Sequence, residues 1–97
     1  MPTYILLAKW TEEGIKSVKQ SPQRLQAARQ LVQATGGSIK DFYMVMGEYD
    51  FIVVAEAPND EAYARVALAI AAGGTVRTTT LKAFSEEEYR RIVASLP

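Results

Sequence analysis

From Thr3 to Trp10 apolar residues occupy both parities of the chain, with Tyr4, Leu6, Ala8 and Trp10 on one side and Ile5 and Leu7 on the other. A period of two with both sides apolar predicts a strand covered on both faces. Polar residues dominate Thr11–Gln20, where Ile15 and Val18 are spaced for one or two helical turns. Ser21-Pro22 then reads as a helix start, a capping hydroxyl followed by proline at the first helical position. Leu25, Ala28, Leu31 and Val32 mark the apolar side of that helix, and Gly36-Gly37 ends it. Ile39–Met46 and Asp50–Ala55 are the second and third strands, joined by a hairpin at Gly47-Glu48-Tyr49. Pro58-Asn59-Asp60 opens a second helix with Ala62, Val66, Ala69 and Ile70 facing inward, closed by Gly73-Gly74. The fourth strand, Val76–Ala83, is rich in threonine. Ser85 and Glu88 form a capping box for a last helix carrying Tyr89, Ile92, Val93 and Leu96.

The order β-α-β-β-α-β plus a terminal helix predicts an α+β chain of the ferredoxin-like type. Right-handed crossovers fix the antiparallel sheet order as 4-1-3-2. That order demands that strands one and three be central, and they are the two that are apolar on both faces. Strands two and four mix in Lys40, Asp41, Arg77 and Lys82. Helices cover one face of such a sheet, so the other would expose aliphatic side chains to water. The terminal helix is one candidate cover. A second copy laid face to face is the other, and it suits a chain of 97 residues, whose own core is small.

Composition narrows the remaining choices. Residues 1–97 are expected to form one domain. Eleven basic and eleven acidic residues give no net charge, so the basic excess of a nucleic-acid binder is missing. There is no cysteine and no histidine, which removes thiolate chemistry and the usual neutral-pH base and metal ligand. No apolar stretch is long enough for a membrane span, and no signal pattern begins the chain, so a cytoplasmic protein with no membrane partner is expected. Haem lacks its usual histidine and cysteine ligands here. Asp41, Glu48 and Asp50 lack the spacing of a cation loop. The expectation is therefore no cofactor and no metal.

The same topology gathers Trp10, the 11–21 loop, Gly47 to Asp50 and Thr75 to Arg77 at one end of the sheet. Lys19 and Arg24 stand beside the helix start there, where free amides favour an anion. The expected ligand-binding set is Trp10, Lys19, Arg24, Tyr49, Asp50 and Arg77. Each also has a structural explanation: Asp50 can accept hairpin amides or pair with Arg77, and Gly47 can supply a positive φ. Arg77 is equally suited to holding a ligand carboxylate. At the far end the chain offers mainly Gly36-Gly37, Glu56 to Asp60 and Phe84.

Thr11-Glu12-Glu13-Gly14-Ile15-Lys16, Ser21-Pro22, Met46-Gly47-Glu48-Tyr49-Asp50 and Val76-Arg77-Thr78-Thr79-Thr80-Leu81 together resemble the GYD domain family, named for the pattern at Gly47, Tyr49 and Asp50. The resemblance spans almost the whole chain. It implies a ferredoxin-like domain of the dimeric α/β-barrel type and supplies no activity. Three functional readings follow. The first is a homo-oligomeric module, a homodimer or larger, binding a small anionic or aromatic metabolite near the Gly47–Asp50 hairpin. The second is a cofactor-free enzyme, oxygenase- or isomerase-like, with Asp50 as base, Tyr49 as acid or orienting group and Arg77 holding an oxyanion. The third is a structural or assembly role. An Asp50 carboxylate held by backbone donors favours the module over the enzyme.

Overall fold

The computed structural model describes residues 1–97. Its first strand, β1 (Thr3–Trp10), pairs on both sides and carries the rest of the fold. Thr11 then turns the chain. Its hydroxyl accepts the Gly14 N–H (3.1 Å) to start α1 (Glu12–Lys16) and donates to the Gly74 carbonyl (2.7 Å). Gly14 is buried against Thr75, and a Cβ there would lie 1.9 Å from the Thr75 carbonyl oxygen. Only glycine permits that approach.

A 3₁₀ turn (Val18–Gln20) runs straight into α2 (Ser21–Ala34). This corrects the expected cap. Gln20 already has helical dihedrals, so Ser21 lies inside the helix and no side chain caps it, although Pro22 keeps its place in the first turn. The next elements are β2 (Ser38–Met44), β3 (Phe51–Glu56), α3 (Asp60–Ala72), β4 (Val76–Ala83) and α4 (Glu86–Ala94). Asn59 caps α3 through the Ala62 N–H (2.8 Å). The expected capping box of α4 is present, with Ser85 and Glu88 bonded in both directions (2.8 and 3.1 Å).

The sheet order is β2-β3-β1-β4, every pair antiparallel, which is the 4-1-3-2 order counted from the other edge. The fold is α+β and ferredoxin-like with an added C-terminal helix. The β2–β3 hairpin is longer than expected, because β2 stops at Met44 and β3 starts at Phe51. Asp50 sits outside the ladder yet is stitched to it. Its N–H donates to the Ala8 carbonyl (2.8 Å) and its carbonyl accepts the Val45 N–H (2.8 Å). The turn between them passes through Gly47 at φ +136°, with nothing near its missing Cβ, so the glycine answers a backbone requirement alone.

Alternation along the central strands sorts their side chains. Leu6, Ala8, Val53 and Ala55 are buried beneath α2 and α3, with Tyr4, Ala57 and Tyr63 completing the core. Ile5, Leu7, Ile52 and Val54 point to the opposite, open face. α4 does not cover that face. Its apolar side chains are exposed, Tyr89 at 60% and Val93 at 46%, and so are the flanking Phe84 at 61% and Leu96 at 66%. The helix projects from the end of β4, and the radius of gyration is 14.6 Å where a compact chain of this length has about 12–13 Å. Only 12 of 97 residues are buried, which leaves much of the apolar surface uncovered in one copy.

At the far end of the sheet, Tyr4 and Tyr63 stack at 4.2 Å. The Tyr4 hydroxyl donates to Asp60 Oδ1 (2.6 Å), and the Lys82 ammonium lies 3.0 Å from the same oxygen. Burial, reinforced by the hydrogen bond and negative charge of Asp60, pushes the Tyr4 phenol up to about 12. The bonds from Tyr4 and Lys82 hold Asp60 below its ordinary value. Because the folded phenol keeps its proton more tightly, its contribution is complete below pH ~10 and is lost as pH rises towards about 12. Asp60 contributes above the ordinary carboxylate range and loses its share as pH falls through its lowered value. Tyr4→Phe should cost about 1 kcal/mol at neutral pH. It should also shrink the fall in stability above pH ~10, as read by denaturant melts across the alkaline range.

Candidate functional site

The expected site residues lie on two sides of the sheet. Trp10 continues the helix-facing side of β1, where its ring packs on Phe51 at 5.6 Å. Arg77 pairs with Lys9, one rung away, and both point to the open face. The ring of Tyr49 lies under the Lys9 ammonium, 5.3 Å from its centroid, so it joins Lys9 on that side. Asp50 sits at the strand end between the two sides, and its Oδ2 accepts the backbone N–H of Trp10 (2.9 Å). No ion pair joins Asp50 to Arg77. The concavity expected to hold Trp10, Tyr49, Asp50 and Arg77 together is therefore divided by the sheet. Adjacent rungs present opposite faces, so nearness along the strand does not bring Trp10 and Arg77 together.

Lys19 is exposed on the 3₁₀ turn and does not line the space between sheet and helices. Arg24 is half-buried and already engaged. Its guanidinium donates to the carbonyls of Ser17 (3.2 Å) and Gly14 (3.4 Å) and to the Ser17 hydroxyl (3.3 Å). These are the carbonyls at the end of α1, where a cation is favoured by the helix dipole. The Gly47–Asp50 hairpin is thus explained by local physics: a glycine turn, a ring on an ammonium, and a carboxylate fastening β1.

On the helix side, the space between the sheet and α2 and α3 is not filled. A cavity of about 410 Å³ runs there from Trp10, Phe51 and Val76 towards Ile39 and Tyr63. Of its 23 lining residues 18 are apolar, and Arg24 is the one charged residue among them. Phe42 and Phe51 stand 5.3 Å apart in its wall, which with Trp10 makes an aromatic floor. Sequence reasoning put Trp10 and Arg24 in one candidate set but did not find this cavity. Its helix walls include Ala27 and Ala28 of α2 and Ala67 and Ala69 of α3, whose small side chains leave room above the sheet. Tyr63 forms part of its wall, bonded through its hydroxyl to that of Thr80 (3.1 Å).

A family model described as GYD domain matches residues 4–93. The chain belongs to that family. A relative from Thermus thermophilus is 37% identical over 84 residues, covering 86% of this chain and 88% of the relative, and is named glutamine synthetase and cystathionine beta-lyase binding protein. Among solved structures, FFRP-DM1 superposes with a TM-score of 0.62 at 20% identity, over 87% of this chain and all of that one. TTHA0845, also from Thermus thermophilus, does so with a TM-score of 0.56 at 24% identity, over 88% of this chain and 95% of that one. These likenesses establish the ferredoxin-like fold for this GYD chain. No group of three or more acidic side chains stands close enough to hold a metal ion, and no helix is long and apolar enough to cross a membrane.

Two tests follow for the GYD hairpin. Asp50→Ala should cost ~1–2 kcal/mol by leaving the Trp10 N–H unpaired. Because Asp50 and Arg77 do not touch, the double variant with Arg77→Ala should be additive within ~0.5 kcal/mol in a denaturant melt. A larger coupling would mean that the two side chains meet.

Proposed function

We propose that this GYD chain is a self-associating binding module, and that the cavity between sheet and helices takes a small apolar or aromatic metabolite. The observation that carries the reading is the cavity itself. The space of about 410 Å³ opens to solvent and leaves its apolar wall wet, and an apolar ligand seated in it would remove that area from water. An apolar ligand restores the missing contacts, whereas a wall with so few polar groups offers water little. Arg24 at the cavity wall gives an acid group on such a ligand a place to lie, beside the aromatic floor. Self-association is supported by the aliphatic open face. The enzyme reading is weaker, because one Asp50 oxygen already holds a backbone amide and Tyr49 and Arg77 face away from the cavity.

Trp10 is the chain's single tryptophan and lies in the cavity wall, so its emission reports occupancy. Titration with phenylacetate and with phenylethanol should shift that emission saturably, and ligand should raise the melting temperature. Ala28→Phe, which fills the cavity from α2, should abolish the shift without lowering the melting temperature. A response that is linear in ligand, or that survives Ala28→Phe, would exclude the cavity as the site.

The relative's name supports a second reading, docking on metabolic enzymes, which also suits the cytoplasmic address expected from the sequence. Immobilised chain exposed to purified glutamine synthetase and cystathionine β-lyase should then retain at least one of them. Retention of neither would remove this reading and leave the cavity unaffected.

A further inference from the structure

The terminal helix and the cationic end of the open face are each incomplete in one copy, and they are complementary. α4 begins with a built capping box and carries Tyr89, Ile92 and Val93 at the i, i+3, i+4 spacing of a single stripe, with Leu96 just beyond its C-cap. All four are exposed. A helix of 9 residues is too short to hold its shape alone in water, so its stripe has to be packed on something. Its first turn carries Glu86, Glu87 and Glu88; Glu86 pairs with Arg90 within the helix and Glu88 closes the capping box, so Glu87 is the carboxylate left without a partner. At the opposite end of the sheet, Lys9 and Arg77 face each other across β1 and β4, both exposed on the open face. Like charges directly opposite are unfavourable, yet no acid lies within ion-pair distance of either. The ring of Tyr49 is the nearest compensation for Lys9.

A single copy does not satisfy both. β4 delivers α4 from the rung Thr3↔Ala83, six rungs from Lys9↔Arg77 and so ~20 Å away along the strand. Only Phe84 and Ser85 separate β4 from α4, so the acidic turn cannot return that distance over its own sheet. A second copy laid on the open face with its strands reversed end for end changes the geometry. The end from which α4 leaves then lies over the other copy's Lys9–Arg77 end. The alternative facing, with like ends together, would collect four cations in one place. Charge therefore selects the reversed arrangement.

We propose that α4 is an exchanged arm: it packs its apolar stripe on a second copy and sets its acidic first turn against that copy's Lys9 and Arg77. This rests on the self-association proposed above and adds to it a reciprocal contact, in which each copy completes the open end of the other. The surface takes a second copy of this chain because the two halves of the contact are both present on one molecule and repeat under a two-fold axis.

Zero-length carbodiimide coupling tests it on the unaltered chain, by joining Lys9 to whichever carboxylates touch it. Equal amounts of unlabelled and 15N-labelled protein are unfolded, refolded together, coupled and digested. A peptide joining Lys9 to the 86–88 segment, with mixed labels in about half of the copies, is the expected result. The same peptide with unmixed labels only would put α4 on its own chain and overturn the arm. A sample that sediments as a dimer but yields no such peptide would overturn the arm and leave self-association standing. A monomer in sedimentation would overturn both. As a second readout, Arg77→Glu should weaken self-association about tenfold at low salt, and adding Glu87→Arg should restore it. Failure of the exchange to restore it, with the monomer's fold intact, counts against the arm.

Discussion

The sheet is apolar on both faces and has helices on only one. Nearly everything else in this structure follows from that imbalance. The alternation that buries Leu6, Ala8, Val53 and Ala55 under α2 and α3 necessarily turns Ile5, Leu7, Ile52 and Val54 outward. Loop and helix ends are fastened to β1 from both sides, through Thr11 to Gly74 and Thr75 and through Asp50 to Ala8 and Trp10. The polar contacts of the chain thus hold the strand ends, and its apolar surplus is left on one face.

The covered side is also unusual. Large residues of the sheet, Trp10, Phe42 and Phe51, face helices whose inner positions mix Leu25, Val32, Val66 and Ile70 with alanines, and the two layers do not close on each other. Protein interiors are normally packed to crystal-like density, so a space of this size is a feature in its own right. Tyr63 bounds one end of the space, held by its stack on Tyr4 and its hydroxyl bond to Thr80. The wall of this space is mostly apolar, with Arg24 its one charged residue. The family motif at Gly47, Tyr49 and Asp50 stands outside it and secures the hairpin.

Much of the fold was legible because its signals are local. Period-two runs gave the four strands, the Ser85–Glu88 box gave α4, and handedness gave the strand order. Ser21 misled because a cap depends on the dihedrals of the residue before it, and the 3₁₀ turn had already made Gln20 helical. The candidate site was legible as an end of the sheet but not as a face. Deciding that needs the register Trp10↔Val76 and Lys9↔Arg77, and a slip of one residue reverses every side chain. Lys9 was overlooked for the same reason. The Tyr4–Asp60–Lys82 cluster joins residues 56 positions apart and lies at the end where the sequence offered little to notice.

Whether a second copy covers the open face decides how this chain reaches a stable fold. Thermal melts over a hundredfold range of protein concentration test it most directly, because a second copy stabilises the fold by mass action. With the face covered in this way, the melting temperature of the native chain should rise with concentration. Ile5→Glu, whose carboxylate would lie on the open face, should melt at a lower temperature that does not depend on concentration. A melting temperature that is flat with concentration, in a chain that sediments at 10.7 kDa throughout, would contradict it.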